Sequence, residues 1–125
     1  MDTKYFIYLC LVQYFIDRMT TTHCHTIKGE LLLLFHHIVS VYLYFGSFFF
    51  DPMNHLLFSL GVLNHWLFYK RCILTVYTNK YCGLDEETPF NDFFRIFKLS
   101  FPNFFHHWYL LVLIIIYDIC LVYNK

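Results

Sequence analysis

The chain has 125 residues, of which 58% are apolar, 23% aromatic and only 14% charged. Soluble domains carry about 25% charged residues, and so short a chain has too little interior to hide this many apolar side chains. Lys and Arg together number 9, as do Asp and Glu, so the charge gives no reason to expect a nucleic acid partner. The composition predicts a single domain, residues 1–125, with the lipid bilayer as part of its solvent.

The first apolar run covers about residues 5–19, with Gln13 inside it and Asp17 and Arg18 near its end. A bilayer core needs about 20 residues of helix, so this run predicts a short membrane span. A cleaved signal peptide and an interfacial or re-entrant segment are the alternatives. With either alternative, three spans would remain instead of four.

Three longer apolar runs follow, at residues 31–50, 53–69 and 104–123. The run 31–50 has no formal charge, and its length matches the thickness of a bilayer core. Asp51 and Pro52 end it, because proline breaks a continuing helix and favours a turn. This short link predicts an antiparallel helix pair. The last run has aromatic residues near both ends, as is typical of membrane interfaces.

The main polar stretch lies at residues 70–103. Within it, Thr88 and Pro89 suit the first turn of a helix, and phenylalanines follow at helical spacing up to Phe101. This pattern predicts an amphipathic helix in the headgroup layer, or else a cap on the ends of the bundle. The predicted fold class is therefore an all-α polytopic membrane protein with four, or three, transmembrane helices and one amphipathic interfacial helix.

The basic residues are divided unevenly between the two sides of a four-span arrangement. One side holds Lys4 and Lys125, and the other holds the remaining seven of the nine: Arg18, Lys28, Lys70, Arg71, Lys80, Arg95 and Lys98. The positive-inside rule then places the loop 70–103 in the cytoplasm. Because the cytoplasm is reducing, Cys72 and Cys82 are expected to be free thiols, and the odd count of 5 Cys does not indicate a disulfide framework.

Several of the 8 histidines fall at a similar depth on that same side, namely His36, His37, His65, His106 and His107. Neutral imidazole is the commonest metal ligand, and ionisable groups inside a membrane are candidate sites. His37, His65 and His107 are therefore candidate ligands for haem or a transition metal. Proton handling is a further alternative. The main expectation is that the histidines are structural and form interhelical or interfacial hydrogen bonds, so that no cofactor is expected.

Asp118 is the one carboxylate deep in the last apolar run. An unpaired carboxylate in hydrocarbon is costly, so a contact with His55, at a similar predicted depth, is one expectation. The alternative is that Asp118 reaches the outer interface. The chain has no G-x-S-x-G motif, no glycine-rich phosphate loop and no paired helical carboxylates, so no enzymatic activity is predicted.

Residues 64–75 read N-H-W-L-F-Y-K-R-C-I-L-T, a helix end followed by a basic step and C-x-L-T. These 12 residues resemble small multi-pass membrane proteins of unknown activity that large DNA viruses encode. They are also loosely similar to bacterial membrane proteins with a C-P-L-T step, whose proline is Ile73 here. The resemblance highlights His65, Cys72 and Thr75.

The composition and the resemblance together imply a structural or interaction role in a viral or host-derived membrane. The expected partners are the lipid bilayer and a membrane protein or a second copy of the chain. A small oligomeric channel or proton pathway is a further alternative.

Overall fold

The computed structural model describes residues 2–20, 24–69, 72–86, 88, 90 and 104–124. Within them, the regular elements are five α-helices and one 3-10 turn at Gly46–Phe48, and no strand is present. The helices are α1 Thr3–Thr20, α2 Ile27–Phe45, α3 Pro52–Tyr69, α4 Ile73–Cys82 and α5 Phe104–Tyr123. The predicted all-α class is confirmed for this part of the chain. Of the predicted interfacial helix at residues 89–101, only residue 90 is among the described residues.

Local capping sets where α2 and α3 begin. The Thr26 hydroxyl accepts a hydrogen bond from the Gly29 N–H at 3.0 Å, so α2 begins four residues before the predicted start at residue 31. The Asp51 carboxylate accepts one from the Asn54 N–H at 3.1 Å, and Pro52 follows as the first helical residue. Both are ordinary N-terminal signals, since they satisfy amides that have no partner inside the helix.

The long helices pack as antiparallel neighbours. At one end of the α1–α2 pair, the Phe6 and Phe50 rings lie 5.1 Å apart. At the other end, the Glu30 carboxylate accepts from the Tyr14 hydroxyl and pairs with Arg18. A small apolar core lies where α2, α3 and α5 meet and is made by Leu43, Trp66, Leu111 and Ile115.

Helix α4 lies within the stretch that was predicted to be a polar loop. It runs antiparallel to the first half of α2, because Cys82 adjoins Gly29 and Cys72 adjoins His36. Gly83 ends it with a left-handed backbone, φ 73°, a conformation that glycine adopts without strain. A 10-residue helix is marginal by itself. Helix α4 therefore depends on its packing against α2, and the periodicity of its own short sequence did not predict it.

The distribution of polar and apolar side chains is the reverse of that in a soluble protein. Many polar side chains are buried, and many apolar side chains are exposed. Large apolar side chains are exposed along all five helices. The buried polar side chains in the described part of the chain are Gln13, Asp17, His36, His37, Ser40, His55, Ser59, Thr75, Thr78, Asn79 and Asp118. Large apolar surfaces exposed around a polar interior are typical of a protein that has lipid around it.

By length and hydropathy alone, one helical stretch among the described residues, Ile27–Phe48, could cross a membrane. The apolar segment Tyr109–Tyr123 is shorter. This finding agrees with a membrane protein, but it does not establish the further spans.

Candidate functional site

His55 connects three helices at a fully buried polar site of the bundle. Its Nδ1 lies 2.5 Å from Asp118 Oδ2 on α5, and its Nε2 lies 2.8 and 2.9 Å from the carbonyl oxygens of Tyr42 and Leu43 on α2. The side chains of His55 and Asp118 are both fully buried. The structure therefore brings together the histidine and the carboxylate that the sequence placed at a similar depth.

The partners of His55 determine how many protons this site holds. Carbonyl oxygens only accept, so Nε2 must carry a proton and donate it to Tyr42 and Leu43. Nδ1 and Asp118 Oδ2 are both acceptors when unprotonated, so their contact requires one shared proton. Whichever atom holds that proton, His55 and Asp118 together have no net charge. This neutrality lowers the cost of burying two ionisable groups.

The Gly46 N–H donates to the Tyr42 carbonyl at the end of α2, and His55 Nε2 supplies a further donor to the carbonyls of Tyr42 and Leu43. Because Gly46 has no side chain, the His55 ring can come close to the end of α2. A Cβ at residue 46 would lie 2.7 Å from His55 Cδ2 and 2.8 Å from Tyr42 Cδ2. The imidazole is held by hydrogen bonds on both nitrogens, so it cannot easily move aside.

Gly46→Ala should therefore destabilise the protein by about 1–3 kcal/mol, the usual cost of overpacking a filled site. Gly61→Ala is the matched control, because a Cβ at Gly61, in the middle of α3, meets nothing within 4 Å. This variant should be stabilised by up to about 1 kcal/mol through helix propensity. Unfolding in mixed micelles, followed by circular dichroism, measures both. Destabilisation of the two variants by equal amounts would contradict the close packing at Gly46.

A second fully buried histidine–aspartate pair joins α1 to α2. His37 Nε2 lies 2.8 Å from Asp17 Oδ2, and His37 Nδ1 lies 2.8 Å from Gln13 Nε2. The amide nitrogen of Gln13 only donates, so Nδ1 accepts and Nε2–H donates to Asp17. Gln13 and Asp17 are four residues apart and so lie on one face of α1.

The two other histidines predicted as ligands, His65 and His107, lie outside the two histidine–aspartate pairs. His65 Nε2 accepts the Ile73 N–H at 3.2 Å and so satisfies the first amide of α4. His107 lies in α5, and Thr75 is buried in α4. No group of three or more His, Cys, Asp or Glu among the described residues could hold a metal ion. Both nitrogens of His37 already have protein partners, so it offers no free nitrogen for coordination.

His36 points to α4 rather than to α1. There it contacts Cys72, which belongs to the segment 64–75 that carries the resemblance. Its Nε2 lies 3.7 Å from Cys72 Sγ, and its ring stacks on Phe90 with 3.6 Å between centroids. Its Nδ1 is buried and has no hydrogen-bond partner among the described residues. Adjacent histidines point about 100° apart on a helix, so His36 and His37 are both buried because α4 and α1 cover different faces of α2.

Cys24 and Cys82 form a disulfide, with Cα atoms 4.4 Å apart. The prediction that Cys82 is a free thiol was wrong, whereas Cys72 is free. Gly29 makes room for the bridge, since a Cβ there would lie 2.5 Å from Cys24 Sγ and 2.7 Å from Cys82 Sγ.

Polar contacts surround this bridge. The Thr26 hydroxyl donates to the Tyr81 carbonyl at 2.5 Å. The ammonium group of Lys28 lies 4.0 Å from the centre of the Tyr81 ring. Its hydrogen bond and its positive charge lower the pKa of the Tyr81 phenol. Together with the disulfide, these contacts connect the C-terminal end of α4 to the N-terminal end of α2.

No protein-family model matches the chain, and no curated protein or solved structure matches it either.

Proposed function

We propose that the chain is an integral membrane protein with a structural or interaction role, and that α1, α2, α3 and α5 cross the bilayer. The observation that carries this proposal is the reversed distribution of polarity, in which apolar side chains are exposed and polar ones are buried. The four helices have 18 to 20 residues, or about 27–30 Å at 1.5 Å per residue. That length is close to the thickness of a bilayer core.

The two buried pairs support a structural role. Each His–Asp pair joins two of the proposed spans, α1 to α2 and α3 to α5. In lipid, such hydrogen bonds hold helices together where the hydrophobic effect does not. Asp17, His37, His55 and Asp118 have no exposed side-chain surface, so they give no open aqueous path for a proton or an ion. Lipid and a membrane-protein partner, or a second copy, would cover the exposed apolar faces.

The membrane orientation rests on two features that oppose each other. The basic residues favour a cytoplasmic position for residues 70–103, whereas a disulfide persists in an oxidising compartment. Arg18 is paired with Glu30, and the Lys28 ammonium lies over the Tyr81 ring. Contacts within the protein therefore account for two of the seven basic residues, which weakens the charge argument for a cytoplasmic position. The covalent bond is the stronger constraint, and we propose that the Cys24–Cys82 end faces the oxidising side. The resemblance at residues 64–75 favours a viral or host-derived membrane.

Expression in cells tests both parts of the proposal. The protein should stay in the membrane pellet after extraction at alkaline pH and should be released only by detergent. An acceptor site for N-glycosylation inserted after Gly83 should be modified, whereas one added at the C-terminus should not. Release by alkaline buffer would contradict the membrane spans. Retention in the pellet with glycosylation only at the C-terminus would overturn the orientation alone.

The interaction role has its own test. Proximity labelling from the C-terminus should mark the same membrane proteins in repeated experiments, or a second copy of the chain. If the labelled set equals that of an unrelated membrane protein of similar size, the interaction role is contradicted.

A further inference from the structure

Cys72 has the surroundings of a reactive thiol rather than of a packing residue. It is a free and half-buried cysteine, and its sulfur lies 3.7 Å from His36 Nε2. By contrast, Cys10 is buried in α1, and Cys120 is exposed on α5.

His36 has no other polar partner among the described residues. The residue is only 5% exposed, and its Nδ1 has no hydrogen-bond partner. With Nε2 directed at the sulfur, the thiol donates its hydrogen bond to the imidazole nitrogen. Phe90 stacks on the ring, with an angle of 20° between the planes, and so holds its orientation. A thiol next to an oriented imidazole is the usual arrangement for activating a sulfur nucleophile.

Helix α4 contributes a second effect. Cys72 is its N-cap residue, and the side chain makes no capping hydrogen bond. The partial positive charge at a helix N-terminus stabilises negative charge that develops on a nearby atom. Such charge develops on the Cys72 sulfur as it loses its proton, at the start of its attack on an electrophile. His65 holds the first amide of α4 through the Ile73 N–H, which fixes this end of the helix beside Cys72.

The disulfide indicates which electrophile is available. Cys24–Cys82 lies at the other end of α4, on the same half of the bundle. An oxidising compartment, on which the orientation proposed above depends, contains low-molecular-weight disulfides. A free, half-buried cysteine in such a compartment is a candidate for exchange with them.

We propose that Cys72 is a thiol–disulfide exchange site for a small disulfide. The Cys72 sulfur attacks one sulfur of the small disulfide, and the new mixed disulfide forms as the old S–S bond breaks. The thiol proton passes to His36 Nε2 and then to the leaving thiolate, which departs as a thiol. One disulfide and one thiol are consumed and one of each is produced, so no external oxidant or reductant is needed.

The test uses the full-length protein purified in detergent, with glutathione disulfide as the probe. Mass spectrometry of peptides follows the rate at which glutathione is attached to each free cysteine. Attachment should be fastest at Cys72. Replacing His36 with phenylalanine keeps a ring against Phe90 but removes the nitrogen, and the rate at Cys72 near pH 7 should fall on the order of a hundredfold. Above about pH 10, where thiols ionise without a base, the two rates should converge.

Two further variants make the result independent of folding defects. Ser40→Ala lies one turn from His36 on α2, and the Ser40 hydroxyl has no hydrogen-bond partner, so this control should react at the wild-type rate. His36→Gln keeps a polar side chain without a basic nitrogen and should be slowed like His36→Phe.

Three results would overturn the proposal. Glutathione could attach faster to Cys10 or Cys120, a folded His36 variant could react at the wild-type rate, or slowing could be equal at every pH. Because the protein is in detergent, a failure here is distinct from an error in the membrane orientation.

Discussion

Replacing His55 with leucine is expected to destabilise the protein by about 3–5 kcal/mol, the usual cost of breaking a buried ion pair from one side. The variant leaves Asp118 buried without its imidazole partner, and it removes the donor to the Tyr42 and Leu43 carbonyls. The free energy of unfolding, measured by titration with a denaturing detergent in mixed micelles, reports this loss. Loss of the folded state altogether would also agree with the prediction.

A double-mutant cycle separates the pair from simple packing. His55→Leu combined with Asp118→Leu should be more stable than His55→Leu alone, because the unpaired carboxyl is gone. Recovery should be partial, since the Leu43 carbonyl loses the donor that His55 supplied. Ser59→Ala, one turn along α3 from His55, is the control. The Ser59 hydroxyl is buried without a partner, so its removal should cost nothing. Strictly additive effects of the two leucines would contradict the coupling.

Removing the disulfide should produce the second large effect. The bridge joins cysteines 58 positions apart, and the chain-entropy estimate for a loop of that length is about 4 kcal/mol. Because detergent preserves helices in the unfolded state, we expect roughly 2–4 kcal/mol for Cys24→Ser with Cys82→Ser. Unfolding titrations with and without a reductant measure it, and reduction of the wild-type protein should give the same loss.

Cys120→Ser is the matched control for the disulfide, because Cys120 is a free and exposed cysteine. Its unfolding should not change, and it should still respond to reductant. If the double serine variant and the reduced wild-type protein unfold like the oxidised protein, the bridge does not hold α4 to α2.

Helix α4 should be the element most affected by loss of the bridge. Its contacts lie mainly against α2, and a helix of this length is marginal without them. Hydrogen exchange of the α4 amides should therefore increase more than exchange in α3 after reduction.

Part of the candidate site was accessible from the sequence. His55 and Asp118 could be paired because each stands in an apolar run at a similar depth, and a carboxylate in hydrocarbon needs a partner. Gln13 and Asp17 were interpreted only as an interruption and an end of the first run. Their spacing of four residues, which places both on one face of α1, was the signal that could have indicated a partner on a neighbouring helix.

Other contacts had no signal along the chain. Cys24 and Cys82 have no spacing that distinguishes them from free cysteines, and the basic residues around them favoured a reducing compartment. The direction of His36 could not be known either. Periodicity shows that His36 and His37 lie on different faces of α2, but not that α4 covers one of them.

The sequence by itself determined the helical class and the apolar character, because these depend on composition and short-range periodicity. Only the tertiary structure decided which imidazole meets which carboxylate and which cysteines join. Those contacts connect residues 20, 63 and 58 positions apart. Each depends on which helix lies beside which, and that neighbour is chosen by the packing of the whole bundle.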